Sequence, residues 1–257
     1  MSGYPSDLND AQWARIAAFF PAQTGPGRRR TVDLRRVVDA LLYRLRTGCQ
    51  WRWLPRDLPA WRSVYYYFGK WTRAGTLERI HDRLRAEDRA RAGRDPEPTA
   101  AIIDSQSAKS TPVTAETGYD AGKKTKGRKR HLLVDTAGRL LTVLVHAANV
   151  PEAVGAEAVL ARARDLFPTI RKVWADSAYH TERLTIWLAE HWPALDLEIV
   201  SRPEGTKGFV VQPRRWVVER TFAWLTANRL LSKEYERLPW HVESWIMLAS
   251  ISTLLKR

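Results

Sequence analysis

Two apolar runs end in the same pair of residues. Ile102-Ile103-Asp104-Ser105 and Trp174-Ala175-Asp176-Ser177 each place a carboxylate at the end of a buried-looking segment. Carboxylates a few ångströms apart repel. A divalent cation removes that cost and makes a hard-oxygen site suited to Mg²⁺ or Mn²⁺. In open α/β sheets such sites lie beyond the carboxyl ends of parallel strands. If the two runs are neighbouring strands, Asp104 and Asp176 form one. Glu219 is the third candidate ligand, completing a set for two ions: it is the one acid in the apolar helical stretch 216–231, where an unpaired carboxylate is costly. Taken singly, each residue has a plainer role. Asp before Ser is a common turn former or N-cap, and Glu219 stands four residues from Arg215, within ion-pairing reach on a helix. Asp135 precedes a Gly-containing turn and is read as part of it. Position, order and surrounding charge together favour the metal reading.

The elements that would hold these acids follow from hydrophobic periodicity. Before residue 99 every pattern is helical. One helix follows Asp7 and carries Trp13, Ile16 and Phe20; another starts at Thr31 or Asp33 and stops at Gly48; two more span 61–71 and 77–91. Helices of this size joined by short turns suit a helix-turn-helix arrangement. Gly93-Arg94-Asp95-Pro96-Glu97-Pro98 contains two prolines and no large apolar residue. It divides an all-α domain over 1–92 from an α/β domain over 99–257, with 93–98 as linker. Past it come strands at 100–104, 131–134 and 139–145, the last two joined through a Gly138 turn, then a helix over 152–167. A strand at 170–176, a helix over 181–192, a strand at 195–200 and the 216–231 helix follow. The order is β-β-β-α-β-α-β-α.

Composition narrows the partner. The chain has 257 residues, 42 Lys and Arg against 28 Asp and Glu, and a formal net charge of +14. Residues 1–98 carry 19 basic against 11 acidic residues and the remainder 23 against 17, so both halves are basic. The longest apolar run, Leu140–Val145, is too short to span a bilayer, and the first residues show no basic-then-apolar leader pattern. The single cysteine, Cys49, excludes an internal disulfide or a multi-Cys zinc site, and His131, His146 and His180 lack ligand spacing. The expectation is a soluble cytoplasmic protein with a nucleic-acid partner and no membrane. The densest charge is Lys123-Lys124-Thr125-Lys126-Gly127-Arg128-Lys129-Arg130, six cations in eight residues, read as too many to pair internally and therefore as phosphate contacts. Arg28, Arg29 and Arg30 form a second cluster.

Several stretches resemble one family. Ile103-Asp104-Ser105-Gln106-Ser107, the run from Gly118 to Asp135, Ala147-Ala148-Asn149-Val150, Trp174-Ala175-Asp176-Ser177-Ala178-Tyr179 and the run from Gly208 to Leu225 are similar to bacterial insertion-sequence transposases of the "insertion sequence five" group. Leu8–Trp13 and Gly48–Pro55 resemble that family's helical N-terminal domain. The likeness covers essentially the whole chain.

The resemblance implies an RNase H-like catalytic fold in which the strands carrying Asp104 and Asp176 are adjacent and parallel. It places the family's two aspartates on Asp104 and Asp176, its glutamate on Glu219, and its DNA-contacting arginine on Arg215. Two positions depart from the pattern: Gln212 stands where a Tyr is common, and Thr226 where a basic residue is common. The implied activity is endonucleolytic cleavage and strand transfer at transposon ends, with two Mg²⁺ (or Mn²⁺) ions at the acids. The implied partners are duplex DNA, both element ends and target, and a second copy of the chain. The N-terminal helices would read the terminal repeats, with Arg28, Arg29, Arg30, Arg35, Arg36 and Arg62 as candidate contacts, while Lys123, Lys124, Lys126, Arg128, Lys129 and Arg130 grip phosphates. A pure DNA binder descended from such an enzyme, and a nuclease that only hydrolyses, are the alternatives.

Overall fold

Asn9 starts the first helix, α1 (Asp10–Ile16), by a reciprocal cap: its side chain accepts from Gln12 N, and Gln12 Oε1 accepts from Asn9 N. The structure, a computed structural model, describes residues 3–20, 31–200 and 215–257. Asp33 caps α2 (Leu34–Thr47), and Gly48, left-handed at φ 70°, ends it. Helices α3 (Trp61–Arg73) and α4 (Thr76–Arg91) follow at the predicted places. Leu41, Leu45, Val64, Phe68, Leu77 and Leu84 line the buried faces of α2, α3 and α4.

The C-terminal part is a mixed α/β arrangement. Its strands are β1 (Ala100–Lys109), β2 (Gly118–Asp120), β3 (Thr125–Asp135), β4 (Leu140–Ala147), β5 (Lys172–Ala175) and β6 (Asp196–Ile199). The sheet runs β2-β3-β1-β5-β6, with β4 also on β3; β3 is antiparallel to β1, β2 and β4, whereas β5 is parallel to both β1 and β6. The two strands expected to carry the aspartates are thus adjacent and parallel. Helices α5 (Glu152–Leu166) and α6 (Glu182–His191) cover one sheet face, packing on Ala101, Ile103 and Leu133. Side-chain alternation sends Ile102, Leu132 and Val134 to the other face.

That second face is closed by α7 (Trp216–Thr226) and α8 (Pro239–Leu254). The predicted 216–231 helix stops at Thr226 and ends in a short 3₁₀ turn over Arg229–Leu231. Helix α8, apolar on nearly every side, has no amphipathic period and was not predicted. It packs against α2, α3, α4, α7 and β4. One buried cluster therefore runs from Leu8 through Trp245 to Leu255, joining the N-terminal helices to the sheet. Ion pairs reinforce the junction: Arg139 reaches Asp88 at 2.6 Å, and Arg89 pairs with Asp135. Asp135 also makes the predicted turn, its Oδ1 accepting from Ala137 N and Arg139 N, with Gly138 at φ 83°.

Candidate active site

The site lies where β1 and β5 part. Their parallel pairing ends at Ile102 opposite Trp174, while β1 stays bonded to β3 as far as Lys109. Asp104 was expected to end its strand; β1 instead continues for five residues, because β3 is long enough to pair with them. Asp104 is therefore held on one side by β3 and opens on the other into the gap beyond β5. Asp176 follows the last residue of β5 and caps the turn Ser177–Tyr179, accepting from Ala178 N at 2.9 Å. Its plainer role as an N-cap is thus real, and it coexists with its place in the site.

Arg215 stands between the two carboxylates. One guanidinium nitrogen is 3.5 Å from Asp176 Oδ2 and 3.9 Å from Asp104 Oδ2. Burial pushes the Asp104 carboxyl up to about 6, and the nearby charge of Asp176 adds to it; the Ser105 N–H, Arg215 and Lys123 act in the opposite direction. A buried carboxylate made costly by a second one is the situation a divalent cation relieves. The Asp104–Asp176 pair fits such an ion in donor type and charge, and the arginine supplies the positive charge here.

Glu219 sits one turn along α7 from Arg215, on the same helical face, about 6 Å further along the axis. Val217, Val218 and Phe222 bury the opposite side, and Thr221 Oγ1 donates to Gly138 O at 3.0 Å, fixing the helix over the β3–β4 turn. The Glu219 side chain is exposed. Among the described residues no three acidic, His or Cys side chains converge as metal ligands, so the structure brings together two of the three predicted acids and leaves the third alongside.

A second network flanks Asp104. Lys123 Nζ donates to Glu152 Oε1 at 2.8 Å, Ser105 Oγ at 2.9 Å and Ser105 O at 3.1 Å. Lys129 reaches Asp120 at 3.5 Å, and Ser107 Oγ donates to Asp120 at 2.6 Å. Burial opposes ionisation of Glu152, yet Lys123 and Ser105 hold its carboxyl below its ordinary value. Beneath lies Tyr179, whose hydroxyl is hydrogen-bonded to His131 Nδ1 at 3.2 Å. Burial and the surrounding acids push the Tyr179 phenol well up, and burial beside His146 and the lysines pushes His131 well down, so both stay neutral. The sequence reading missed Glu152 and Tyr179; only the Tyr in Ala175-Asp176-Ser177-Ala178-Tyr179 left a trace, as part of a motif.

The family described as "Transposase DDE domain" matches residues 95–255, and one described as "Putative transposase of IS4/5 family" matches residues 8–81. The chain belongs to the transposase DDE domain family. An uncharacterized Sinorhizobium fredii protein, y4sN, is 37% identical over 73 residues, 28% of this chain. The match spans 58% of that relative's length.

In this transposase-family chain the predicted DNA contacts divide sharply. Arg28, Arg29, Arg30 and Gln212 lie outside the described residues. The basic run is not a loop of solvated cations: it ends the β2–β3 turn and opens β3, and burial takes half of it. Arg128 donates to the carbonyls of Ala115, Glu236 and Arg237, Arg130 pairs with Glu234, and Lys129 is buried against Asp120. Assigning Arg128, Lys129 and Arg130 to phosphate contact is thereby corrected: the partners of the two arginines come largely from residues 231–237, out of sight of any local pattern, and Lys129 is taken up by Asp120, Glu152 and the Val150 carbonyl. Lys124 and Lys126 are exposed, and Lys123 is shared with Glu152. Arg35 pairs with Asp10 at 2.6 Å, Arg36 with Asp7 at 3.2 Å, and exposed Arg62 lies over the Trp61 ring. Thr226 turns inward on its own helix, donating to Phe222 O. Among the described residues no helix is long and apolar enough to cross a membrane.

Proposed function

We propose that this protein is an active transposase that binds the inverted repeats of an insertion sequence as duplex DNA, nicks them to free a 3′-OH, and joins that end to target DNA. The observation that carries this reading is the meeting of Asp104 and Asp176 at the parting of two parallel strands, within reach of Arg215. The strand order supports an RNase H-like catalytic fold. Asp104, Asp176 and Glu219 would hold Mg²⁺ or Mn²⁺, which when bound lowers the pKa of water and stabilises the leaving oxygen of a phosphodiester.

The chain's own residues set the rest. Arg215 offsets the repulsion of the two aspartates and offers a cation to the scissile phosphate. Lys123, fixed by Glu152 and Ser105, keeps a positive charge beside Asp104. Tyr179 and His131 keep the floor under Ser105 neutral. Preorganised charge of this kind dominates phosphoryl transfer. The helices of residues 1–92 would read the repeats, and joining two ends calls for at least two copies of the chain.

The test uses the full chain and a duplex carrying the element's own ends, with and without Mg²⁺, products being separated on denaturing gels. Nicks with 3′-OH ends and joined products are expected from the wild type. Asp104→Ala, Asp176→Ala and Glu219→Ala should each abolish both while leaving end binding largely intact. Hydrolysis without joined products would make the protein a nuclease, and end binding without cleavage a DNA-binding protein.

A further inference from the structure

Helix α7 carries a feature that the acids do not account for. Trp216, Arg220 and Trp224 follow one another at four-residue intervals, and the Arg220 guanidinium lies between the two rings, 4.4 Å from one centroid and 4.5 Å from the other. Arg220 also donates to Ala137 O at 2.9 Å, which anchors the stack to the β3–β4 turn. Trp216 and Trp224 nevertheless remain 40% and 39% exposed. Two large rings held rigid on an outer helix face are a preorganised platform.

The ladder joins two sites. Its first ring adjoins Arg215 and lies one turn from Glu219. Its last ring lines a cleft of about 370 Å³ between the ends of α2, α7 and α8, with Arg46, Lys256, Arg257, Asn228 and Thr253. No acidic residue lines that cleft among the described residues. Arg257 lies 5.4 Å from the Trp224 ring while pairing with Asp88 at 3.1 Å. The two ring centroids lie at most about 9 Å apart with the guanidinium between them, wider than the step between neighbouring bases of a stacked duplex and suited to bases splayed along a single strand.

We infer that the Trp216–Arg220–Trp224 ladder and the Arg46/Lys256/Arg257 cleft form a track for a DNA strand with unpaired bases, leading away from Glu219. The rings stack on bases and the cleft takes the phosphates. This rests on the DNA-cleaving reading above and adds to it a binding path and a strand state. Charge complementarity selects a polyanion over a second copy of this basic chain.

The experiment measures binding of the full-length protein to a fluorescent single-stranded oligonucleotide and to the blunt duplex of the same sequence, over a range of salt. Trp216→Ala and Trp224→Ala should each weaken single-strand binding by roughly 5- to 150-fold, as expected for loss of one stacked base. Duplex binding should change less than about twofold. Trp224→Phe keeps an aromatic face and should restore part of the affinity, which a folding defect would not. Arg46→Ala with Lys256→Ala should flatten the single-strand salt dependence by about 1.4 in log–log slope. Equal losses on both DNAs, or none on either, overturn the track. So does conversion of a dimer to monomer in sedimentation with DNA affinity unchanged, which gives the face to a second copy. Mg²⁺-dependent cleavage by the wild type, followed in parallel, separates the two readings. Cleavage with Trp-independent binding removes the track alone, Trp-dependent binding without cleavage removes the catalytic reading alone, and a wild type that binds neither DNA removes both.

Discussion

Arg130 and Glu234 form an ion pair that solvent does not reach, although 104 residues separate them in the chain. Arg130 also donates to the carbonyls of Leu231 and Lys233, so the 231–237 segment is sewn to the middle of β3. Removing one partner of such a pair leaves a buried charge uncompensated, which costs about 3–5 kcal/mol. Arg130→Met should therefore lower stability to that extent in urea titrations, while the folded fraction keeps its DNA affinity. Arg130→Met combined with Glu234→Leu should recover much of the loss. A proportional loss of DNA affinity at unchanged stability would return Arg130 to the phosphate-binding set.

The exposed members of the same run behave differently. Lys124 and Lys126 are open to solvent. If each neutralises one phosphate, Lys124→Ala with Lys126→Ala lowers the slope of log affinity against log salt by about 1.8 on duplex DNA. The loss should be the same for element ends and unrelated DNA, because backbone contacts carry no sequence information. Fluorescence anisotropy titrations on both DNAs check this, and a loss restricted to the ends contradicts it.

Local pattern and spacing made much of this legible. The caps at Asn9 and Asp33, the stop at Gly48, the Gly138 hairpin and the succession of strands and helices are written in neighbouring residues. The Asp104–Asp176 meeting was legible for a related reason: each aspartate follows a short apolar run, and a parallel sheet brings such ends together. What stayed hidden depends on distant partners. Arg128 and Arg130 look like surface charge until residues 231–237 fold over them. Helix α8 has no polar side from which to read a period, because it is the element around which both halves pack. Glu152 looks like any acid opening a helix until Lys123 reaches it from the β2–β3 connection.

Gly155 on α5 is required by two imidazoles. A Cβ there would lie 2.4 Å from His131 Nε2 and 2.6 Å from His146 Nε2, and both nitrogens are buried without a hydrogen-bond partner among the described residues. Both rings are held neutral by burial. Gly155→Ala should gain helix propensity and still destabilise the fold by about 1–3 kcal/mol, because the added Cβ forces both packed rings to shift. His146→Ala in the Gly155→Ala background relieves one of the two clashes and should return part of the lost stability. Thermal melts of the single and double variants decide it; a Gly155→Ala protein as stable as wild type contradicts the packing.

The Asp104 carboxyl sets a pH window for the fold. Its value of about 6 in the folded chain exceeds the ordinary 3.8, chiefly through burial, with Asp176 adding its charge. The folded state thus holds this proton more tightly than the unfolded state does. The resulting stabilisation is complete below pH 3.8 and is lost as the pH rises through about 6. Asp104→Asn keeps the shape and cannot ionise, so it should be the more stable protein at pH 7.5 without divalent ions, by on the order of 2–3 kcal/mol. The difference should shrink to nothing near pH 4. Denaturant titrations from pH 4 to pH 8 measure it, and parallel curves for the two proteins would show that Asp104 is not held protonated. In the metal-free chain this proton competes with the cation, so the Mg²⁺ concentration needed for half-maximal cleavage by the wild type should rise as the pH falls below about 6. A half-maximal Mg²⁺ concentration that stays level between pH 8 and pH 5 would take Asp104 out of the metal-binding set, since a protonated carboxyl is no ligand for a cation.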